Sequence, residues 1–241
     1  MRARLKERLR DWGVPAFFWT CTYLLRAILW VVGRWVVTGR ENVPASGAVV
    51  AVSNHLHNAD PPILSAALAR RRVRYLAKIE LFKMPFGIIP RAYGALPIRR
   101  GEADIGAMLA SERVLRRGEV LGMFPEGTRS RTGYLGTPHP GTALFALRTG
   151  ATVLPCAITG TERLRNPLVL FTKPRITITI GTPIQVERMK RPSAEQVAEL
   201  TNQIFAQIAS MLPAKYLPPS YTGNSSQDGS GEEHGGDHPG D

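Results

Sequence analysis

The sequence predicts an α/β fold in which helices flank a mainly parallel central sheet, preceded by an amphipathic N-terminal helical segment. Two observations predict the sheet. Short apolar runs alternate with helical patterns from about residue 36 onward, and this alternation is typical of parallel strands joined by helical crossovers. Polar clusters follow four of the apolar runs, as expected where ligands bind beyond the carboxyl ends of strands.

The N-terminal segment, residues 1–37, is basic at its start and apolar afterwards. On a helical wheel, Arg26 and Arg34 share one face with Thr22 and with aromatic side chains, and aliphatic side chains cover the opposite face. Such a helix is suited to the membrane interface, whereas both arginines would be costly at the centre of a bilayer. We therefore predict a monotopic membrane anchor, either one helix or a bent pair around residues 13–15. A spanning helix and a buried helix of a soluble domain are the alternatives.

Residues 38–221 form the predicted α/β body. Strands are predicted at 48–53, 73–78, 95–99, 120–124, 152–158 and 176–181, and helices at 61–70, 102–117, 141–149 and 193–212. Helix 102–117 has acids in its first turn, arginines in its last turn and Gly118 as its stop signal. Ser193 and Gln196 form a capping box at the start of the last helix. Residues 222–241 are rich in glycine, serine and acids and are predicted to be a disordered tail.

The charge of the chain is uneven. Residues 222–241 hold five acids and no lysine or arginine, so residues 1–221 carry 31 basic and 14 acidic residues, a formal charge of +17. Such a body is expected to associate with a polyanion, either nucleic acid or an anionic membrane surface. With only two cysteines, a disulfide scaffold and a four-cysteine zinc module are excluded, and a reducing, cytoplasmic location is expected.

His55 and Asp60 follow the first predicted strand of the body. Pro61 disfavours a helical Asp60 and suits the first helical position, so a helix is predicted to begin at Pro61 with Asp60 as its cap. Residues 55–59 then form a tight loop that can turn the imidazole toward the carboxylate. A carboxylate that accepts from one ring nitrogen leaves the other nitrogen free as a general base. Taken alone, the pair is explained better by a capping aspartate and a solvated histidine.

Four short motifs lie in or directly after the predicted strands, one following another along the chain. They are Asn54-His55-x-x-x-x-Asp60, Gly94-Ala95-Leu96-Pro97-Ile98-Arg99, Phe124-Pro125-Glu126-Gly127-Thr128-Arg129-Ser130 and Val153-Leu154-Pro155-Cys156-Ala157-Ile158. In this combination the chain resembles the glycerolipid acyltransferases, and among them the bacterial 1-acyl-sn-glycerol-3-phosphate (lysophosphatidic acid) acyltransferases. The resemblance covers roughly residues 40–185, and the third motif is its most specific part.

The resemblance implies a function. An acyl group passes from acyl-CoA or acyl carrier protein to the sn-2 hydroxyl of lysophosphatidic acid, giving phosphatidic acid. His55 is the implied general base and Asp60 orients it, with no acyl-enzyme, metal or cofactor. The implied acceptor-binding residues are Arg99, Glu126, Gly127, Thr128 and Arg129. Arginine suits a phosphate because its planar fork holds two oxygens, and Glu126 is expected to bond a glycerol hydroxyl or to brace Arg129.

The same resemblance implies a peripheral enzyme on the cytoplasmic side of the cell membrane, in contact with an anionic surface and without a nucleic-acid partner. The chain also departs from the family pattern. His57 stands where the family commonly has serine, and Pro97 replaces an aromatic residue. His139 stands where a lysine usually precedes the helix glycine, so that a phosphate contact is either missing or supplied by Arg100 or Arg131.

Three other functions are alternatives. The same four motifs serve acyltransferases for glycerol-3-phosphate or another lyso-lipid. His55, His57 and Asp60 also resemble the start of a metallohydrolase ligand set, although only His139 remains in the body as a further histidine. The arginines of residues 70–74 and 113–117 would suit a basic nucleic-acid-binding module, but no helix-turn-helix signature or stacking-aromatic pattern accompanies them.

Overall fold

A seven-stranded sheet forms the centre of the computed structural model. The structure describes residues 2–68, 70–83, 87, 90–91, 93–98 and 105–221. Side chains are described from residue 16 onward, apart from those of residues 32, 105, 167, 170 and 171. The strands are β1 (Arg34–Thr38), β2 (Val49–Ser53), β3 (Val73–Lys78), β4 (Leu96–Ile98), β5 (Val120–Met123), β6 (Thr152–Thr159) and β7 (Arg175–Ile180). They lie in the order β1-β7-β6-β2-β5-β3-β4.

The strand directions confirm a mainly parallel sheet. Every neighbouring pair is parallel except β6 and β7, which are antiparallel. Since β2 to β6 all run in one direction, the loops that follow them leave the sheet at the same edge. This carboxyl edge is where ligands bind in open α/β sheets.

The helices cover both faces of the sheet. They are α1 (Arg2–Val32), α2 (Asp60–Ala67), α3 (Ile105–Arg116), α4 (Gly141–Thr149) and α5 (Ala194–Ser210). Successive side chains of a strand point to opposite faces, so β2 contributes to two separate cores. Val49 and Ala51 pack with α1 and α2, whereas Val50 and Val52 pack with α3, α4 and α5. The predicted flanking of the sheet by helices is confirmed.

The N-terminal segment differs from its prediction at its end. α1 continues through Gly13 and Pro15 as one helix and stops at Val32, so the bent pair is not found. Residues 34–37, predicted as part of the helical segment, instead belong to β1, which pairs with β7. An aromatic and three β-branched residues in this stretch favour a strand, and β7 supplies its backbone partners. The sheet therefore begins before the predicted boundary at residue 38.

One face of α1 packs on the body and another is exposed. Phe18, Thr22 and Leu29 are buried, and α1 contacts α2. This division differs from the predicted one, which placed Thr22 with the arginines. Among the described residues, no helix combines the length and the mean hydropathy that crossing a bilayer requires. From residue 16 onward, the outer face of α1 exposes six large apolar side chains, namely Phe17, Tyr23, Leu24, Ile28, Trp30 and Val31.

The remaining elements lie within a few residues of their predicted bounds. One difference matters for the site: α2 begins at Asp60 rather than Pro61, and its N-cap is Ala59, which makes no side-chain capping bond. The Asp60 carboxylate is therefore directed to the preceding loop rather than used as a cap. The capping box of Ser193 and Gln196 is confirmed. Residues 99–104, with Arg99 and the start of the predicted helix 102–117, and the tail 222–241 lie outside the described residues.

Candidate active site

The loops after β2, β5 and β6 meet at the carboxyl edge of the sheet. The backbone N–H of Ser130 donates to the carbonyl oxygen of His55 at 2.8 Å. The buried side-chain amide of Asn54 bonds both backbone groups of Ile158 in β6. Its Nδ2 donates to the carbonyl oxygen of Ile158 at 2.9 Å, and the N–H of Ile158 donates to its Oδ1 at 2.8 Å. Three of the four predicted motifs therefore border one site, and Arg99 of the remaining motif lies outside the described residues.

His55 and Asp60 form the central pair of this site. Nδ1 of His55 lies 2.8 Å from Oδ2 of Asp60. The backbone N–H groups of Leu56 and His57 donate to the same oxygen at 2.6 Å and 2.7 Å. Asp60 is fully buried, and these three donors satisfy Oδ2 alone, whereas Oδ1 has no hydrogen-bond partner among the described residues. With Nδ1 donating to the carboxylate, Nε2 of a neutral His55 ring carries a free lone pair.

Two aromatic rings support the imidazole of His55. Phe124 stacks on it with 4.2 Å between ring centroids and 24° between the planes, and Tyr75 continues the stack at 6.1 Å and 17° from Phe124. The Tyr75 hydroxyl is anchored 3.1 Å from Oγ of Ser65. Gly122 makes room for this ring, since a Cβ at that position would lie 2.2 Å from a ring carbon of Tyr75. The stack limits rotation of the imidazole away from Asp60.

Glu126 braces the same loop from β5. Its Oε1 accepts the backbone N–H of His55 at 2.8 Å, and its Oε2 accepts that of Gly136 at 3.1 Å. The side chain is buried, and this burial raises the pKa of Glu126 to about 7, against the effect of the two N–H donors. The predicted contact with Arg129 is not made among the described residues, because both oxygens of Glu126 serve the backbone.

Residues Gly127, Thr128 and Arg129 are exposed beside this braced loop. Gly127 has a φ of 65°, which favours glycine, and a Cβ there would lie 3.0 Å from the ring of His139. Within the part of the chain that the structure describes, the Arg129 side chain has no hydrogen bond or ion pair. A guanidinium in this position is available to an anionic ligand.

His57, the second histidine of the loop, has a defined tautomer. The backbone N–H of Ala59 donates to its Nδ1 at 3.2 Å, so the ring proton of neutral His57 is on Nε2. Burial lowers the pKa of His57, Asp60 opposes this effect, and the positive charges of Arg129 and Arg165 reinforce it. The described residues contain no group of three or more His, Cys, Asp or Glu side chains placed to hold a metal ion.

Sequence reasoning assigned no role to Asn54, Tyr75 or Phe124. Asn54 and Phe124 stand inside the first and third motifs, so their positions carried a signal. The role of Asn54 depends on Ile158 of β6, 104 residues away in the sequence. The role of Phe124 depends on Tyr75 of the neighbouring strand β3. A glycine within the apolar strand β5 was a weaker sign that a side chain crosses this strand.

Comparison with known proteins decides the family. The sequence model of the Acyltransferase family matches residues 34–159, more than half of the chain. The chain belongs to this acyltransferase family. The family resemblance predicted from the motifs is thereby confirmed, and the matched range contains His55, Asp60 and the loop from Glu126 to Arg129.

Two relatives of this acyltransferase are both named 1-acyl-sn-glycerol-3-phosphate acyltransferase. The protein of Borreliella burgdorferi is 32% identical over 151 residues, which cover 61% of this chain and 60% of the relative. The protein of Bacillus subtilis is 27% identical over 190 residues, which cover 78% of this chain and 93% of the relative.

A solved structure shows the same fold. It is the 1-acyl-sn-glycerophosphate acyltransferase PlsC of Thermotoga maritima, 24% identical, with a TM-score of 0.59 and coverage of 86% of this chain and 83% of that chain. The α/β architecture of this acyltransferase is therefore one that a solved structure also adopts.

Proposed function

We propose that this acyltransferase moves an acyl group from acyl-CoA or acyl carrier protein to the sn-2 hydroxyl of 1-acyl-glycerol 3-phosphate, which gives phosphatidic acid. The relatives from Borreliella burgdorferi and Bacillus subtilis are named for this acceptor. The observation that carries the proposal is the His55–Asp60 pair, whose free Nε2 lies in a loop hydrogen-bonded to the exposed arginine loop. One site thus offers a base for a hydroxyl and a cation for a phosphate.

The reaction needs one proton to move twice. As the acceptor oxygen attacks the thioester carbonyl, Nε2 of His55 takes the hydroxyl proton, and the buried Asp60 carboxylate stabilises the imidazolium that forms. The C–O ester bond forms and the C–S bond breaks. The departing thiolate then receives the proton from Nε2, which regenerates neutral His55 and releases the free thiol. No side chain is acylated in this sequence.

The acceptor phosphate is assigned to the arginine loop. Arg129 is exposed and unpaired among the described residues, and Gly127 lets a ligand approach the backbone closely. We assign Thr128 a hydroxyl contact and Arg99 of the second motif a further phosphate contact. Glu126 contributes by holding the backbone of His55 rather than by touching the acceptor.

The test offers one labelled acyl donor to a panel of acceptors. The panel contains 1-acyl-glycerol 3-phosphate, glycerol 3-phosphate and other lyso-lipids, and wild type is compared with His55→Ala. We expect phosphatidic acid from wild type and a rate at least ~10²-fold lower from the variant for want of its base. Thermal unfolding of both proteins checks that the variant is folded. An unimpaired variant would reject the mechanism, and preference for another acceptor would reject the substrate.

We also propose peripheral membrane association through the outer face of α1. This face is largely apolar, and Trp30 is 82% exposed. Arg26 of α1 belongs to a group of neighbouring arginines. Burial lowers the pKa of Arg40, and the charges of Arg26 and Arg70 lower the pKa further. Apolar side chains that enter the interface, next to cations that meet anionic headgroups, are what an interfacial helix requires.

Substitution on the outer face tests this association better than deletion, because Phe18 and Leu29 are buried and residues 34–38 belong to the sheet. A double variant, Leu24→Gln and Ile28→Gln, is expected to bind anionic vesicles at least ~10-fold more weakly while acting normally on detergent-dispersed substrate. Leu109→Gln is the matched control, since Leu109 is an exposed leucine of α3, which packs on the opposite sheet face. Unchanged vesicle binding of the double variant would refute the proposal.

A further inference from the structure

Arg165 lies at the candidate active site although no motif contains it. It ends the 3-10 helix Thr161–Arg165, which follows β6. Its Nη2 donates to the carbonyl oxygen of Ser130 at 2.8 Å, and the N–H of Ser130 donates to the carbonyl oxygen of His55, also at 2.8 Å. A single residue, Ser130, therefore links the guanidinium of Arg165 to the backbone of the proposed base.

The helix that carries Arg165 is held in place from the C-terminal part of the chain. The hydroxyl of Tyr216 accepts the backbone N–H of Gly160 at 3.0 Å and donates to Oε1 of Glu162 at 2.9 Å. The carbonyl of Tyr216 accepts the N–H of Leu135, one residue before Gly136, which bonds Glu126. Tyr216 thus fixes the loop after β6 relative to the loop after β5, and Arg165 starts from a fixed backbone.

Arg129, Arg165 and His57 each offer N–H donors in the loops that surround the base. Arg129 directly precedes Ser130, which Arg165 bonds, and both guanidinium charges act on the ring of His57. His57 has its remaining ring proton on Nε2, since Nδ1 accepts from Ala59. In the described part of the chain, neither Arg129 nor Arg165 forms an ion pair with a carboxylate. Two cations in adjoining loops that lack a carboxylate partner among the described residues favour an anion with several oxygens.

We propose that Arg165, together with Arg129 and the Nε2–H of His57, binds the phosphate of the acceptor and selects a phosphorylated lyso-lipid over a neutral one. This inference rests on the proposed function, whose acceptor carries the phosphate one carbon from the reacting carbon. That short separation requires a cation site close to His55. Arg165 lies two hydrogen bonds from the backbone of His55, and its charge acts on the ring of His57. Its guanidinium keeps free N–H groups after one donates to Ser130.

The test compares acceptors with and without the phosphate. Arg165→Ala, Arg165→Lys and Arg163→Ala are assayed with 1-acyl-glycerol 3-phosphate and with 1-acylglycerol. We expect Arg165→Ala to raise KM for the phosphorylated acceptor by ~10-fold or more, with little change in kcat or toward 1-acylglycerol, because one charge-assisted bond is lost. Arg165→Lys restores part of the affinity. Arg163 is the matched control: it is exposed on the same 3-10 helix, two residues away and on another side.

Two outcomes would overturn the assignment to the acceptor phosphate. An equal loss toward both acceptors would mean that Arg165 only braces Ser130, and a raised KM for acyl-CoA alone would assign Arg165 to the donor phosphates. A binding experiment separates this inference from the proposed chemistry. In a His55→Ala background, which lacks the proposed base, Arg165→Ala should weaken binding of 1-acyl-glycerol 3-phosphate by the same ~10-fold. Equal binding with and without Arg165 would refute the phosphate contact, whatever the catalytic role of His55.

Discussion

Residues 54–60 and residues 127–129 lie in neighbouring loops at the carboxyl edge of the sheet, yet the side chains of the first are fixed and those of the second are exposed. In the first loop, Asn54, Leu56 and Asp60 are buried, and Asp60 alone accepts from three donors. In the second loop, Gly127, Thr128 and Arg129 are exposed. A base must keep one orientation through the reaction, so its loop is fixed by hydrogen bonds. A cation that awaits an anionic substrate must stay unpaired until the substrate arrives.

The largest expected effect comes from the fixed loop. Asp60→Asn keeps the shape of the side chain but removes the charge that orients His55 and stabilises its imidazolium. We expect kcat to fall at least ~10²-fold, with KM for the acceptor changed little, because the arginine loop is untouched. Steady-state kinetics with 1-acyl-glycerol 3-phosphate measures both constants. A loss confined to KM would show that Asp60 serves binding instead.

The brace between the two loops should make stability depend on pH. The pKa of Glu126 is raised from its ordinary 4.5 to about 7, so between these values the folded chain binds more protons than the unfolded chain. Its contribution is therefore fully present below pH 4.5 and is lost as pH rises through 7. Relative to Glu126→Gln, wild type should gain up to ~3 kcal/mol between pH 8 and pH 5.

Urea unfolding of wild type and Glu126→Gln at several pH values measures this difference. Parallel stability profiles of the two proteins would contradict the buried, titrating carboxyl group. The activity of both proteins in the same pH range shows whether the Glu126→Gln substitution also disturbs His55.

The aromatic support of His55 gives a smaller effect. Gly122→Ala places a methyl group against the Tyr75 ring, and overpacking of this kind destabilises a protein by about 1–3 kcal/mol. Because the Tyr75 ring stacks on Phe124 and Phe124 stacks on His55, a displaced Tyr75 ring should also lower kcat. Gly141→Ala is the control, because a Cβ at Gly141 meets no atom within 4 Å. Equal stability of the two variants by thermal unfolding would mean that the ring shifts without cost.

The smallest stability effect is expected in the open loop. Arg129→Ala removes an exposed side chain without a partner among the described residues, so the free energy of unfolding should change by less than about 0.5 kcal/mol. KM for the phosphorylated acceptor should nevertheless rise. A large loss of stability would show that Arg129 supports the fold, and the contrast between the two loops would then fail.

Local signals predicted much of the fold. The alternation of apolar runs and helical patterns located most strands and helices to within a few residues, and Ser193 with Gln196 marked the start of α5 correctly. Prediction failed at residues 34–37. Trp35, Val36 and Val37 continue the apolar pattern of α1, and only the pairing of β1 with β7 makes them a strand. The inner face of α1 was likewise set by its contact with α2, which a helical wheel does not contain.

The sequence by itself determined the four motifs and the spacing of five residues between His55 and Asp60. It also determined the position of Pro61, which keeps the loop between them short. These features are local, because they depend on backbone preferences over a few residues. Only the tertiary structure decided that Asn54 binds β6, that Glu126 holds the backbone of His55, and that Arg165 reaches Ser130. Each of these contacts joins residues separated by 35 to 104 positions, so it exists only once the parallel strands have brought their carboxyl ends to one edge.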